Sequence, residues 1–286
     1  MRTQAEKAAD FAALHAAPGA FVIPNPWDPG SARILAALGF KALATTSAGF
    51  ARSIGVTDYQ AGRDSVIEHI RQMAPAVDIP LSADLENGFG HDPATCAETI
   101  RLGAEAGLVG GSIEDASGDK AAPIYEIAYA AERMRAAADA ARALPFRFML
   151  TGRAENYLHG RPNLADTIRR CQAYQEAGAD VLFAPGLATA EDIRTLCAEV
   201  DRPVNVMRGP RGQLLNVTEL EELGVKRISL GGLMHVAAMT GMIEAAREIA
   251  ATGSFGFANG LAAGSEVDTL LTVGTPNADR HPQNSG

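Results

Sequence analysis

Short apolar runs rich in Val, Ile, Leu and Phe recur along the chain, and the intervals between them carry apolar residues at helical spacing. The runs predict strands at Phe21–Pro24, Ala42–Thr46, Ile79–Asp84, Leu108–Glu114, Phe146–Arg153, Asp180–Ala184, Pro203–Met207 and Arg227–Leu230. Asp92-Pro93 opens a helix in which Cys96 and Ile100 fall one turn apart, and Gly107 stops it. Asn163 caps another that runs through Ile168, Cys171 and Tyr174 to Gly178. Gly39, Gly107, Gly178 and Gly224 stand where such helices end and the chain turns into a strand. The strands are apolar through most of their length, as strands buried in a parallel sheet must be. Eight strand–helix units predict an α/β fold, the (β/α)8 TIM barrel. A doubly wound open sheet is the rival, but no GxGxxG follows the first strand, which weakens its dinucleotide-binding form. The repeats imply one barrel domain over residues 1–260 and a tail over 261–286, loosely packed or bound to a partner. The helical segment before Phe21 is expected to close the bottom of the barrel.

Composition narrows the class of function. Of 286 residues, 47% are hydrophobic and 21% charged, the balance of a globular protein. With 34 Asp and Glu against 25 Lys and Arg the formal net charge is -9, which repels phosphate backbones and argues against nucleic acid as a partner. No apolar run approaches the roughly 18 residues of a membrane-crossing helix. Charges interrupt the N-terminal segment where a signal peptide would be continuously apolar. Cys96, Cys171 and Cys197 are far apart and form no CxxC pair, so they are read as free thiols in a reducing compartment. A cytoplasmic protein is expected.

Reactive groups of such a barrel lie at the C-terminal ends of its strands. Those ends read Asn25-Pro26-Trp27-Asp28, Thr45-Thr46-Ser47-Ala48-Gly49, Asp84-Leu85-Glu86-Asn87-Gly88, Glu114-Asp115, Arg153-Ala154-Glu155-Asn156 and Asn205-Val206-Met207-Arg208. Strands 3 and 4 bring at least three carboxylates to one mouth, which is costly unless a cation neutralises them. Oxygen donors without His or Cys suit Mg²⁺ or Mn²⁺ better than zinc. Structural readings compete with this one. Asp84 and Glu86 could cap the next helix, and Asp28, just before Pro29-Gly30, is read as an N-cap rather than a ligand. Asp115 is a better placed cap than Glu114. Arg153 is either a clamp for a substrate carboxylate or the ion-pair partner of Glu155 or a neighbouring Asp. His159 and His235 are read as packing or surface residues.

These strand ends resemble those of the isocitrate lyase/phosphoenolpyruvate mutase superfamily. The stretches PNPWDPGSARILAALGF, TTSAGFARSIGVTD, SADLENGFG and GSIEDAS carry the resemblance, followed by LTGRAENYL and PVNVM. The resemblance implies a (β/α)8 barrel whose last helix is swapped between neighbours, in a homodimer or homotetramer. It also implies Mg²⁺ and a small 2-keto or 2-hydroxy acid, with a C–C or P–C bond beside a carboxylate made or broken through a pyruvate enolate. By position, it implies Asp84 as the direct metal ligand, with Glu86, Asp58 and Glu114 holding the metal's waters or completing its shell. Thr46, Ser47, Ala48 and Arg153 would grip the substrate carboxylate, and Asn205 would line the mouth. Arg153, Asp58 and Glu114 are the implied catalytic groups.

Two departures shape the functional expectation. The family's DxD on strand 3 reads Asp84-Leu85-Glu86 here, one methylene longer at the second acid. After strand 4 the family's lyases carry Lys-Arg-Cys-Gly-His, with the Cys as proton donor, whereas residues 115–123 here contain neither Cys nor His. The resemblance therefore points away from a Cys-dependent lyase. It points towards an oxaloacetate decarboxylase-like branch, in which water, Tyr157 or Lys120 protonates the enolate. The alternatives are the P–C chemistry of a mutase or phosphonopyruvate hydrolase, and a non-catalytic relative that binds a keto acid. A phosphate-binding barrel enzyme is a further rival, because Gly231-Gly232 could cradle phosphate at a helix start, although it reads equally as a tight turn.

Overall fold

The apolar runs become strands wherever they can pair. The computed structural model describes residues 1–207 and 215–275. In its first half, α1 (Gln4–Ala16) leads into β1 (Phe21–Ile23), α2 (Pro29–Ala37), β2 (Leu43–Ala44), α3 (Ser47–Ser53), α4 (Arg63–Met73), β3 (Leu81–Asp84), α5 (Pro93–Glu105) and β4 (Gly110–Glu114). Then come α6 (Ile127–Arg142), β5 (Met149–Arg153), α7 (Leu164–Ala177), β6 (Val181–Phe183), α8 (Ala190–Ala198) and β7 (Val204–Met207). The chain continues through α9 (Val217–Glu222), β8 (Arg227–Ser229), α10 (Leu233–Thr252) and α11 (Gly264–Val273).

All eight strands are parallel, in the order β1-β8-β7-β6-β5-β4-β3-β2. At the remaining seam the Ala44 amide donates to the Pro24 carbonyl at 3.1 Å, closing the expected (β/α)8 barrel. Asn25 reinforces that seam. Its Oδ1 accepts from the Leu230 and Gly231 amides at 2.8 and 2.9 Å, while its Nδ2 donates to the Thr45 carbonyl at 3.2 Å. Asn25 thus occupies the Gly231 amide, one of the donors that a phosphate cradle at Gly231-Gly232 would use. The strands are shorter than their apolar runs: the run at Phe146 pairs only from Met149, because Phe146 and Phe148 pack beside the barrel before the ladder begins.

The caps follow local chemistry. Asp28 accepts from the Ser31 amide at 2.6 Å and caps α2, as expected, and Asn163 does the same for α7 through Asp166 at 3.0 Å. Asp115 does not cap a helix. It is buried, where its carboxylate accepts from the Glu155 amide (2.8 Å), Arg170 (3.0 Å) and the Tyr174 hydroxyl (2.5 Å). The sequence neighbourhood could not show that α7 supplies Arg170 and Tyr174 as donors from behind the strand.

α1 closes the bottom, as its position before β1 suggested. Ala8 and Phe11 pack with Ile23, Ala42, Val109, Met149 and Val181. At the other end of the chain, within the segment expected to be loosely packed or bound to a partner, α11 packs against α2. α10 behaves differently: it buries only His235, edge-on to Trp27 with ring centroids 5.1 Å apart. Met234, Val236, Met242, Ile243 and Ile249 of α10 remain exposed. Among the described residues no helix is long and apolar enough to cross a membrane. The three cysteines are free, with Cys96 and Cys171 buried.

Because Phe11 is fully buried between α1 and the strand starts, Phe11→Ala should lower the unfolding free energy by about 3–5 kcal/mol. Urea titration measures this, and a loss below about 1 kcal/mol would mean that α1 is an appendage rather than part of the core.

Candidate active site

The carboxylates at the strand ends converge on one guanidinium. Arg153, the last residue of β5, sits beside Glu114 of the neighbouring β4. Its Nη1 lies 3.3 Å from both Asp84 Oδ2 and Glu114 Oε2, and its Nε donates to Glu155 Oε1. Both readings of Arg153 therefore meet in one place, since it pairs with Glu155 and stands at the mouth. Burial disfavours its charge, but Glu155, Glu114 and Asp84 outweigh that and hold the guanidinium well above its ordinary range.

Asp84 is fixed on both oxygens. Oδ1 accepts from the Glu86 amide at 3.1 Å, and Oδ2 accepts from the Ser47 hydroxyl at 3.1 Å. Asp58 reaches the same place, and its carboxyl is raised by burial and by Asp84, against the pull of a Ser47 hydrogen bond. Glu114 is fully enclosed, accepts from the Tyr59 hydroxyl at 2.6 Å, and is pushed well above its ordinary range by burial, with Arg153 pulling the other way. Burial likewise raises Glu155.

A cavity of about 200 Å³ opens at the mouth. Thr46, Ser47, Ala48, Asp58, Asp84, Arg153 and Asn205 all line it. Thr46 is the N-cap of α3, so Ser47 and Ala48 form the first turn of a helix rather than a plain turn. Asn205 is buried in the wall, accepting from Arg227 Nε at 2.9 Å and donating to Ser229 Oγ at 3.0 Å. Glu86 faces a neighbouring groove, together with Tyr59, Asn87 and Phe89. Glu114 lies behind Arg153 and Tyr59. The structure thus gathers Asp58 and Asp84 on the cavity and sets Glu86 and Glu114 at its edge. Neither Lys120, which is exposed, nor Tyr157 lines the cavity.

The loop after β3 is held under strain. Glu86 and Phe89 have φ of 49° and 61°, in the left-handed region that costs such residues on the order of 1–2 kcal/mol each. Gly88, at φ 78°, lies against Cys96, where a Cβ would come within 2.9 Å of the sulfur. Arg133 of α6 anchors the loop: buried, stacked on Tyr125 at 4.4 Å, it donates to the carbonyls of Asn87, Gly90 and His91.

Sequence reasoning missed Tyr59, Arg133 and the interior Arg227. Tyr59 directly follows Asp58 and has φ 65°, but no local pattern indicates that its hydroxyl reaches Glu114. The donor set nonetheless fits a hard cation. Five carboxylates (Asp58, Asp84, Glu86, Glu114 and Glu155) surround one guanidinium, and several are raised by burial for want of counter-charge. Among the described residues no three His, Cys, Asp or Glu side chains stand close enough to cage an ion by themselves. Mg²⁺ needs no such cage, because it takes one or two carboxylates and retains waters.

Burial, then Asp84 and Asp58, raise the Glu86 carboxyl from 4.5 to about 8. The folded chain then keeps a proton that the unfolded chain has released, so metal-free protein should lose stability as pH rises from about 4.5 to about 8. Glu86→Gln should flatten that slope. Urea midpoints in EDTA at the two ends of the window check it, and an unchanged slope would mean that Glu86 is ionised in the fold.

Comparison with known proteins agrees with this geometry. The sequence profile of the phosphoenolpyruvate phosphomutase family matches residues 11–250. A solved putative lyase/mutase from Burkholderia cenocepacia is 54% identical, with a TM-score of 0.92, and the match covers 94% of this chain and 96% of that one. The 2-methylisocitrate lyase of Bacillus subtilis is 27% identical over 78% of this chain and 74% of its own length. An oxaloacetate decarboxylase of Rhodopseudomonas palustris is 31% identical over 60% of this chain and 59% of its own. A phosphonopyruvate hydrolase solved with oxalate and Mg²⁺, 22% identical over 92% of this chain and 94% of that one, shares the fold with a TM-score of 0.81. A profile match across most of the barrel, relatives that are lyases, and a mouth lined by acids around one arginine lead to a single assignment: the chain belongs to the phosphoenolpyruvate mutase/isocitrate lyase superfamily.

Proposed function

We propose that the chain is a Mg²⁺-dependent carbon–carbon lyase or decarboxylase, nearest in chemistry to an oxaloacetate decarboxylase. Its substrate in this reading is a small 2-keto or 2-hydroxy dicarboxylic acid, cleaved through a pyruvate-type enolate. The observation that carries the reading is the excess of carboxylate oxygen around Arg153 at the mouth of a small polar cavity. Asp84 would hold the ion directly, with Glu86, Asp58 and Glu114 on its waters, and Mn²⁺ suits the same oxygens. When bound, the ion supplies counter-charge to oxygen that becomes anionic as the bond breaks.

The chain's own residues supply binding and orientation. Arg153 is anchored by Glu155 through Nε and lines the cavity, so its guanidinium can receive a substrate carboxylate there in exchange for part of its contact with Asp84. Thr46, Ser47 and Ala48 bring the first turn of α3 to the same wall, where its amides favour negative charge. Asn205 is held by Arg227 and Ser229 and presents a fixed edge to the ligand. Asp58 and Glu114 set the charge of the mouth and take part in proton movement there. Tyr157 and Lys120 stand off the cavity, which leaves solvent at the open mouth as the acid for the enolate. The exposed apolar residues of α10 suit packing on a second subunit, in a homodimer or homotetramer working in the cytoplasm.

P–C bond chemistry is the second reading, favoured by the description of the matching family. Assays with Mg²⁺, with and without EDTA, on 2-keto and 2-hydroxy dicarboxylates and on phosphonopyruvate separate the two. EDTA-sensitive cleavage of a dicarboxylate supports the proposal, while phosphate release from phosphonopyruvate favours the second reading. No turnover anywhere would leave a keto-acid-binding relative. Asp84→Ala should abolish activity together with bound metal, and wild-type metal content in the purified variant would refute the ligand assignment. Arg153→Lys keeps the charge but loses the fork, and should raise KM by about tenfold or more, roughly 1.4 kcal/mol. Unchanged kinetics would make Arg153 a structural residue.

A further inference from the structure

The inner wall of the mouth cavity is largely polar and carries an unmatched charge. Where barrel interiors ordinarily hold Val, Ile or Leu, β2, β3 and β4 turn Ala44, Ser82 and Ser112 to the cavity. The opposite wall contributes Asn205, Ser229 and Arg227. Arg227 is the first residue of β8, so it lies at the deep end of a shaft whose rim is Arg153. It is 5% exposed, and every group bonded to it is neutral. Nε donates to Asn205 Oδ1 at 2.9 Å, Nη2 to Thr151 Oγ1 at 3.0 Å, and Nη1 faces His15 Nε2 at 3.4 Å. His15 donates from Nδ1 to the Phe11 carbonyl at 2.8 Å, and burial drives it down to about 3, so it stays uncharged.

Among the described residues no carboxylate forms an ion pair with Arg227. Burial lowers the guanidinium to about 9, with no opposing carboxylate, yet it remains cationic at neutral pH. A buried charge without a counter-charge is costly, and structures normally pair it. The cavity that Arg227 lines, about 200 Å³ in volume, is lined as well by Ser82, Ser112 and Ser229.

We propose that the shaft is an anion site, in which Arg227 and the hydroxyls of Ser82, Ser112 and Ser229 receive a small singly charged anion. The same chemistry serves a halide or one carboxylate group of a ligand reaching down from the mouth. The site shares the cavity that Asp58 and Asp84 line, but its own ligands are Arg227 and the three hydroxyls, so it stands whether or not the chain turns over a keto acid. Its consequence is a cavity with a cation at each end, suited to a ligand carrying two negative groups.

The test uses the full chain. Crystals soaked in sodium bromide should show an anomalous peak within hydrogen-bond reach of the Arg227 guanidinium, and a parallel soak in formate distinguishes a carboxylate occupant. In solution, bromide near ten times its dissociation constant should raise the melting temperature by about 2–4 °C, and this rise should vanish in Arg227→Met and persist in Arg227→Lys. A formate-only occupant keeps the proposal and names its source. No density for either anion in the shaft overturns it, as does an equal bromide response in wild type and Arg227→Met. If Arg227→Met does not fold, the wild-type soaks alone decide.

Discussion

The structure depends on the placement of one guanidinium among acids that would otherwise repel one another. Arg153 touches Asp84, Glu114 and Glu155, three carboxylates from three different stretches of chain, and all of them are largely buried. Removing one partner from such a buried pair commonly costs about 3–5 kcal/mol, because the remaining charge is left in a poor solvent. The barrel supplies the precision. In register, Glu114 lies opposite Arg153 on adjacent strands, and the next residue, Asp115, accepts the amide of Glu155. Arg170 and Tyr174 of α7 hold Asp115 from behind. Strand register, helix packing and site charge are therefore one connected system, in which a shift of the α7 helix would be felt at the mouth.

A second constraint acts on the loop after β3. Two non-glycine residues sit there in left-handed backbone, and the strain persists because Arg133 ties three carbonyls of the loop to α6. The outcome is that Glu86 turns away from the Asp84 cavity and into the adjoining groove. An acid that stays near the cluster without entering the cavity adds negative potential at little cost in space. Acids at this density without bound cations have raised carboxyls, and the balance shifts sharply when positive charge arrives.

Much of this was legible in the sequence, and the limits are physical. Period and punctuation gave the eight units, the caps at Asp28 and Asn163, and the closing role of α1, because these depend on contacts a few residues apart or on burial. The acids at the ends of β3 and β4 were visible because barrel geometry fixes where strand ends go. The roles of Asp115, Arg133 and Tyr59 were not, since each depends on a partner some 40 to 59 residues away. Asp115 looked like a cap because sequence shows only neighbours, whereas its donors come from α7 and from the segment after β5. Arg227 looked like an ordinary strand residue, and only the closed barrel shows that its side chain lies inside, bonded to Thr151 of β5 and lining the cavity.

The helix after β8 leaves the wall it would ordinarily cover, burying one residue of twenty while five large apolar side chains face water. A chain built this way keeps part of its solvent-averse surface in reserve for whatever docks there. Any association that covers it adds to the free energy of the folded form by mass action, so thermal endurance becomes a property of how crowded the molecules are. Were the partner a second copy of this chain, dilution would act on it much as warming does.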